Sequence, residues 1–117
     1  MSLQMCPLLL RVFPQKESHR KLDEFVSRGQ EPKPELRMYT WMDATLKELY
    51  DLVQDVHPDA QGVSTRLSFA LIYPDRQGRN VMRQIGTVQG DQRGRDDDET
   101  LQDVGFQIGD FLSVAIY

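Results

Sequence analysis

A single amphipathic helix, over Thr45 to His57, constrains the fold of this chain more than any other feature. Thr45 followed by Glu48 is a capping box, in which hydroxyl and carboxylate each satisfy an amide that the first helical turn leaves unbonded. Leu46, Leu49, Tyr50, Val53 and Val56 recur at helical spacing as one apolar stripe, widened by Leu52. Pro58 ends the helix, because its ring disfavours helical geometry at His57. The opposite face carries Asp51, Asp55 and Asp59, an acidic stripe expected to be solvated. A helix with one apolar face needs a sheet to cover, and the flanking sequence supplies strands.

CPLLLRVF, from Cys6 to Phe13, is a short apolar run read as a buried strand that Pro14 stops. Residues 14–35 are polar, contain Gly29, Pro32 and Pro34, and form a long excursion with room for one helical turn at Leu22 to Val26. A connection of that length in a small domain is commonly functional or disordered. Leu36 to Trp41 alternates, with Leu36, Met38 and Thr40 on one face and Arg37, Tyr39 and Trp41 on the other, which reads as a second strand. Further strands are expected at Arg66 to Tyr73, Asn80 to Gly86 and Phe111 to Tyr117. The order β-β-α-β-β-β predicts an α+β fold, with one domain over residues 6–117.

At 117 residues a core of useful size can be buried without disulfides. No apolar run approaches the length of a membrane span, and the first residues lack the basic region of a signal peptide. Cys6, the only cysteine, fits a reducing compartment. The net charge of −4 argues against a dedicated nucleic-acid binder.

Candidate chemistry is sparse. His19, His57 and Cys6 have no metal-ligand spacing, so no metal and no cofactor is expected. Cys6 reads as a buried small hydrophobe rather than half of a thiol–imidazole pair, and His57 as a helix C-terminal residue complementing the macrodipole. Gly86, Gly90 and Gly94 match no phosphate-binding fingerprint and read as turn glycines. Asp96, Asp97, Asp98 and Glu99 lack the ligand alternation of a calcium loop and read as a solvated run.

Arg76, Arg79, Arg83, Arg93 and Arg95 share residues 76–95 with only one acid, Asp91. They are either a basic face for an acidic peptide or an RNA backbone, or surface charge balancing the acidic helix. Tyr39 and Trp41 either anchor a protein interface or pack beneath the 14–35 excursion. The partner-binding candidates are therefore Tyr39, Trp41, Arg79, Arg83 and Arg93. No catalytic residue is assigned.

Two resemblances follow from particular segments. RLSFA (Arg66 to Ala70) and DETLQDVGFQIGDFLSVAIY (Asp98 to Tyr117) resemble the third strand and the end of ubiquitin-like β-grasp domains. That implies a helix across a mixed five-stranded sheet whose first and last strands are central and parallel. Aligned on RLSFA, the isoleucine of ubiquitin's receptor-binding patch falls on Ser68, and its exposed histidine and valine on Ser113 and Ala115. The resemblance thus implies a surface on which an apolar patch has become small and polar, and which ubiquitin receptors do not recognise.

CPLLLRVF, YTWMDATLKEL (Tyr39 to Leu49) and FQIGDFL (Phe106 to Leu112) resemble the eighteen-kilodalton Sin3-associated polypeptide family, the small subunits of histone deacetylase complexes. That resemblance implies a non-enzymatic nuclear adaptor acting in transcriptional repression and mRNA splicing, with presence in the cytoplasm left open. The implied partners are the Sin3 deacetylase corepressor, and an Acinus or Pinin peptide segment with an RNA-recognition-motif splicing activator linked to the exon junction complex. No membrane is implied, and nucleic acid only indirectly; a direct RNA-binding domain using the arginine-rich 76–95 stretch is the alternative. Typical members carry a longer charged N-terminal arm and a proline-rich basic C-terminal tail.

Overall fold

A computed structural model describes residues 7–117. Strands β1 (Leu8–Lys16), β2 (Leu36–Thr40), β3 (Arg66–Pro74), β4 (Asn80–Gln89) and β5 (Phe111–Ile116) surround one α-helix, α1 (Leu46–Val56). They form one mixed sheet in the order β2-β1-β5-β3-β4. β1 and β5 are central and parallel, with Arg11 opposite Phe111 and Lys16 opposite Ile116. The other pairs are antiparallel. This is the α+β, ubiquitin-like arrangement that the sequence predicts. The expectation placed on Cys6 lies outside the described residues.

Alternation along the strands sorts residues between two faces. Leu8, Leu10, Val12, Leu67, Phe69, Leu71, Leu112, Val114 and Ile116 meet Leu46, Leu49, Tyr50 and Val53 of α1 in the main core. Of the predicted helical stripe, Val56 is 57% exposed and Leu52 36% exposed. The stripe is one turn shorter than expected, because four anchors already seat an eleven-residue helix. The capping box forms as expected: Thr45 Oγ1 accepts from the Glu48 amide at 3.1 Å and the Glu48 carboxylate accepts from the Thr45 amide at 3.1 Å.

Several boundaries differ from the sequence reading. β1 runs through Pro14 to Lys16. Its pairing with β2 ends at Val12, so beyond that point one side of β1 carries no ladder and a proline is tolerated. β4 extends to Gln89, three residues past Gly86. Gly86 is therefore a strand residue beside a bulge and not a turn, and a Cβ there would lie 2.6 Å from Leu46 Cδ1. His57 is the residue that caps the C-terminal end of α1, and its ring also has a local partner. Its Nδ1 accepts the Asp59 amide at 3.2 Å, starting the 3-10 turn Pro58–Ala60.

The acidic run is solvated only in part, at Asp98 and Glu99. Its backbone closes the start of α1, with the Leu46 amide donating to Glu99 O at 2.8 Å and the Lys47 amide to Asp97 O at 3.1 Å. Asp97 is buried, and Asp96 Oδ2 accepts the Thr87 amide at 3.0 Å. Amides that no helical carbonyl can reach find partners there, and carboxylates gather at the positive end of the helix.

Candidate functional site

The residues that carry contacts on this molecule follow from what happens on the sheet face opposite α1. Leu9, Arg11 and Phe13 of β1 alternate with core residues and share that face; Arg11 and Phe13 lie opposite Phe111 and Ser113 of β5, which with Ala115 lie opposite Ile72, Ala70 and Ser68 of β3. A bare roll would leave this face to solvent. Here the connection after β1 turns back across it. Glu17 makes the reversal at φ 69°, in the left-handed region, and its amide donates to Ile116 O at 2.7 Å.

His19 then sits over the sheet, with Nδ1 2.8 Å from Ser113 Oγ and Nε2 3.1 Å from Ser68 Oγ. Gln84 Nε2 donates to the same Ser68 hydroxyl at 2.7 Å. Burial lowers the His19 pKa from its usual value, so the neutral ring donates through one nitrogen and accepts through the other. Six residues on, the 3-10 turn Leu22–Phe25 delivers Phe25 into a cluster with Phe13, Phe111 and Ile72. The Phe13 and Phe25 rings meet edge to face at 5.0 Å. Arg11 closes the far end, donating to Glu31 Oε1 at 2.8 Å and Glu35 Oε1 at 2.9 Å. Hydrogen bonding to Arg11 holds both carboxyls below the usual carboxylate range.

This overturns the expectation for Ser68, Ser113 and Ala115. They are 5%, 0% and 0% exposed rather than a polar surface patch. The reason is the strap formed by residues 17–35, whose one imidazole fits two facing hydroxyls. Neither His19 nor Arg11 was singled out as a contact residue from sequence. Arg11 had a signal in the alternation Leu10-Arg11-Val12-Phe13, whereas His19 lies in an aperiodic segment that carries none.

The strap leaves the β2 end of that face open. Tyr39 is 69% exposed and lies opposite Leu9, itself partly exposed, in the β1–β2 ladder. Trp41, just past the strand end, is 45% exposed. The open alternative for these aromatics is therefore decided: they are not packed beneath the 14–35 segment. β2 is an edge strand, so a side chain pair and a strand edge coincide.

The arginines behave differently. Arg79 sits at the β3–β4 hairpin beside Asp75, Arg83 donates to Val104 O, and Arg93 lies beyond β4 at 3.4 Å from Asp98. A ten-residue strand separates the first from the last by about 30 Å. The structure does not bring Arg79, Arg83 and Arg93 into one basic face, and Arg79 and Arg93 are each paired with a local carboxylate.

The family model of Sin3 associated polypeptide p18 (SAP18) matches residues 2–116. The chain is 50% identical over 113 residues to the Homo sapiens protein named histone deacetylase complex subunit SAP18, covering 95% of this chain and 73% of that one. It is 45% identical over 114 residues to the Arabidopsis thaliana protein of the same name, covering 96% and 75%. The Drosophila melanogaster counterpart is 46% identical over 112 residues, covering 95% and 74%. A roll with its open face strapped and an aromatic edge left bare is thus the form taken here by a member of the Sin3 associated polypeptide p18 family.

Proposed function

We propose that this chain is a non-enzymatic subunit of a nuclear histone deacetylase complex, joining the Sin3 corepressor to other proteins through its edge-strand surface. The observation that carries the reading is the exposed Tyr39, set beside Leu9 on an edge strand and followed by Trp41. Aromatic side chains with little rotamer entropy to lose are the anchors from which interfaces draw most of their energy. An edge strand can add main-chain hydrogen bonds to an extended peptide. Tyr39, Trp41 and the helix start belong to the segment that carries the family resemblance. The same surface serves, in this reading, a second assembly linked to splicing and the exon junction complex. There it takes an Acinus- or Pinin-type peptide segment together with an RNA-recognition-motif splicing activator.

The test is affinity purification of the tagged chain from nuclear extract, beside a Tyr39→Ala/Trp41→Ala variant. Deacetylase activity and splicing proteins are both measured in the eluate. The wild-type chain is expected to retain deacetylase activity, and the variant to lose at least about tenfold of it while melting at the same temperature. A wild-type eluate without deacetylase overturns the complex assignment. A variant that retains it overturns the surface.

A further inference from the structure

The outer face of α1 carries a feature that neither the core nor the β2 edge uses. Leu52 and Val56 are one turn apart, so their side chains stack on the same strip of helix, at 36% and 57% exposure. Glu48 continues that strip toward the N-terminus. Asp51 and Asp55 form the adjoining row, which Asp59 extends beyond the helix end. Four carboxylates thus border two exposed apolar side chains, and the one lysine of the helix, Lys47, is engaged with Asp51 at 3.4 Å. Asp55 and Asp59 have no cationic partner among the described residues.

Their position makes this costly. The last turn of α1 holds no basic residue, and the C-terminal end of a helix is its negative pole, where cations stabilise and anions do not. Asp55 therefore stands where the chain's own field opposes it, and Asp59 lies just beyond with no cation of its own among the described residues. Leu52 and Val56 stand where folding gains little from them. Both anomalies are resolved by one occupant, a segment presenting lysine or arginine next to apolar side chains.

We propose that the Leu52–Val56 strip with its Asp51–Asp55–Asp59 border is a docking surface for a basic amphipathic helix of a partner protein. The partner's cations would meet Asp55, Asp59 and the helix C-terminus, and its apolar face would cover Leu52 and Val56. Nucleic acid and anionic lipid are excluded as occupants by their own negative charge. The strip lies across the sheet from Leu9 and Tyr39, so both surfaces can be engaged at once. The proposal does not rest on which complex the chain joins.

The probes are three synthetic peptides of about eighteen residues, long enough to be helical when bound. One is an amphipathic leucine–lysine helix, one replaces every lysine by glutamate, and one scrambles the leucine–lysine order. Each is titrated into the isotope-labelled chain with amide shifts followed by NMR. The leucine–lysine helix is expected to shift residues 51–59. Its affinity should fall at least about fivefold in Asp55→Asn/Asp59→Asn and again in Leu52→Ser/Val56→Ser. The asparagine pair, which removes charge at the negative helix end, should melt no lower than wild type, and the serine pair, which gives up the covered part of Leu52 and helix propensity, modestly lower while remaining folded by its amide spectrum. Equal binding of the glutamate or scrambled peptide, shifts confined to residues 90–98, or unchanged affinity in the asparagine pair overturns the proposal.

Discussion

At the scale of single residues, His19 and Gly90 show how one side chain, or its absence, is set by its neighbours. His19 lies between two serine hydroxyls in a half-buried site, and burial pushes its pKa below the usual 6.5. The unfolded chain then binds a proton more readily than the folded one as pH falls from 6.5 toward the folded value. Stability from His19 is full above about 6.5 and is lost through that window. His19→Gln should flatten the drop in melting temperature between pH 7 and pH 5.5. An unchanged drop in the variant would show that His19 is not its source. Glu31 and Glu35 act lower on the scale: held below 4.5 by hydrogen bonds from Arg11, they weaken the fold only as pH falls below that value. Gly90 is a matter of space. A Cβ there would stand 2.4 Å from Tyr50 Oη and 2.8 Å from Val63 O, and Tyr50 itself donates to Thr65 O at 2.9 Å. Gly90→Ala should cost about 2 kcal/mol in denaturant unfolding, since backbone and a hydrogen-bonded hydroxyl must both shift. The sequence identified Gly90 as a turn glycine without any hint of these neighbours, which come from 40 and 27 residues earlier in the chain.

Among the elements, legibility tracked how local the determinants were. The helix was readable to within a residue at each end, because its cap, its stripe and its terminating proline all lie within fourteen positions. The end of β1 was not, because whether Pro14 is tolerated depends on where β2 stops pairing. The long connection was readable as an insertion but not as a strap. What anchors it is Phe25, and its partners Phe13, Phe111 and Ile72 are each on a different strand. Phe25→Ala should therefore cost about 3 kcal/mol and make residues 17–35 the first site of limited proteolysis. Cleavage that begins elsewhere would mean that the strap is held by Arg11 and His19 without its ring. Of the candidate contact residues, Tyr39 was legible from the alternation of β2. The arginines were legible as residues but not as a surface, because sequence proximity along an extended strand is distance and not clustering.

For the whole molecule, the strap changes what the ubiquitin-like roll presents to others. The face equivalent to ubiquitin's receptor-binding patch is interior here. Its small side chains follow from that, because a histidine must pack within hydrogen-bond reach of Ser68 and Ser113. Ubiquitin receptors are accordingly expected to show no binding to this chain in a fluorescence titration. Restoring the patch by Ser68→Ile should not create binding. It should instead destabilise the fold by about 1–3 kcal/mol, through overpacking and loss of the Gln84 and His19 contacts. Receptor binding by the isoleucine variant with wild-type stability would show that the face is open in solution.

The sequence by itself determined the elements, their order, the helix with its caps and the family, because these depend on residue type and short spacing. It also marked Tyr39 and Trp41, which lie in a segment with clear alternation. Only the tertiary structure decided which sheet face is covered, that Ser68, Ser113 and Ala115 are interior, that the arginines lie apart, and that Val56 and Leu52 remain in water. Each of those outcomes is a competition for burial among segments far apart in the chain, and periodicity within one segment does not record which competitor wins.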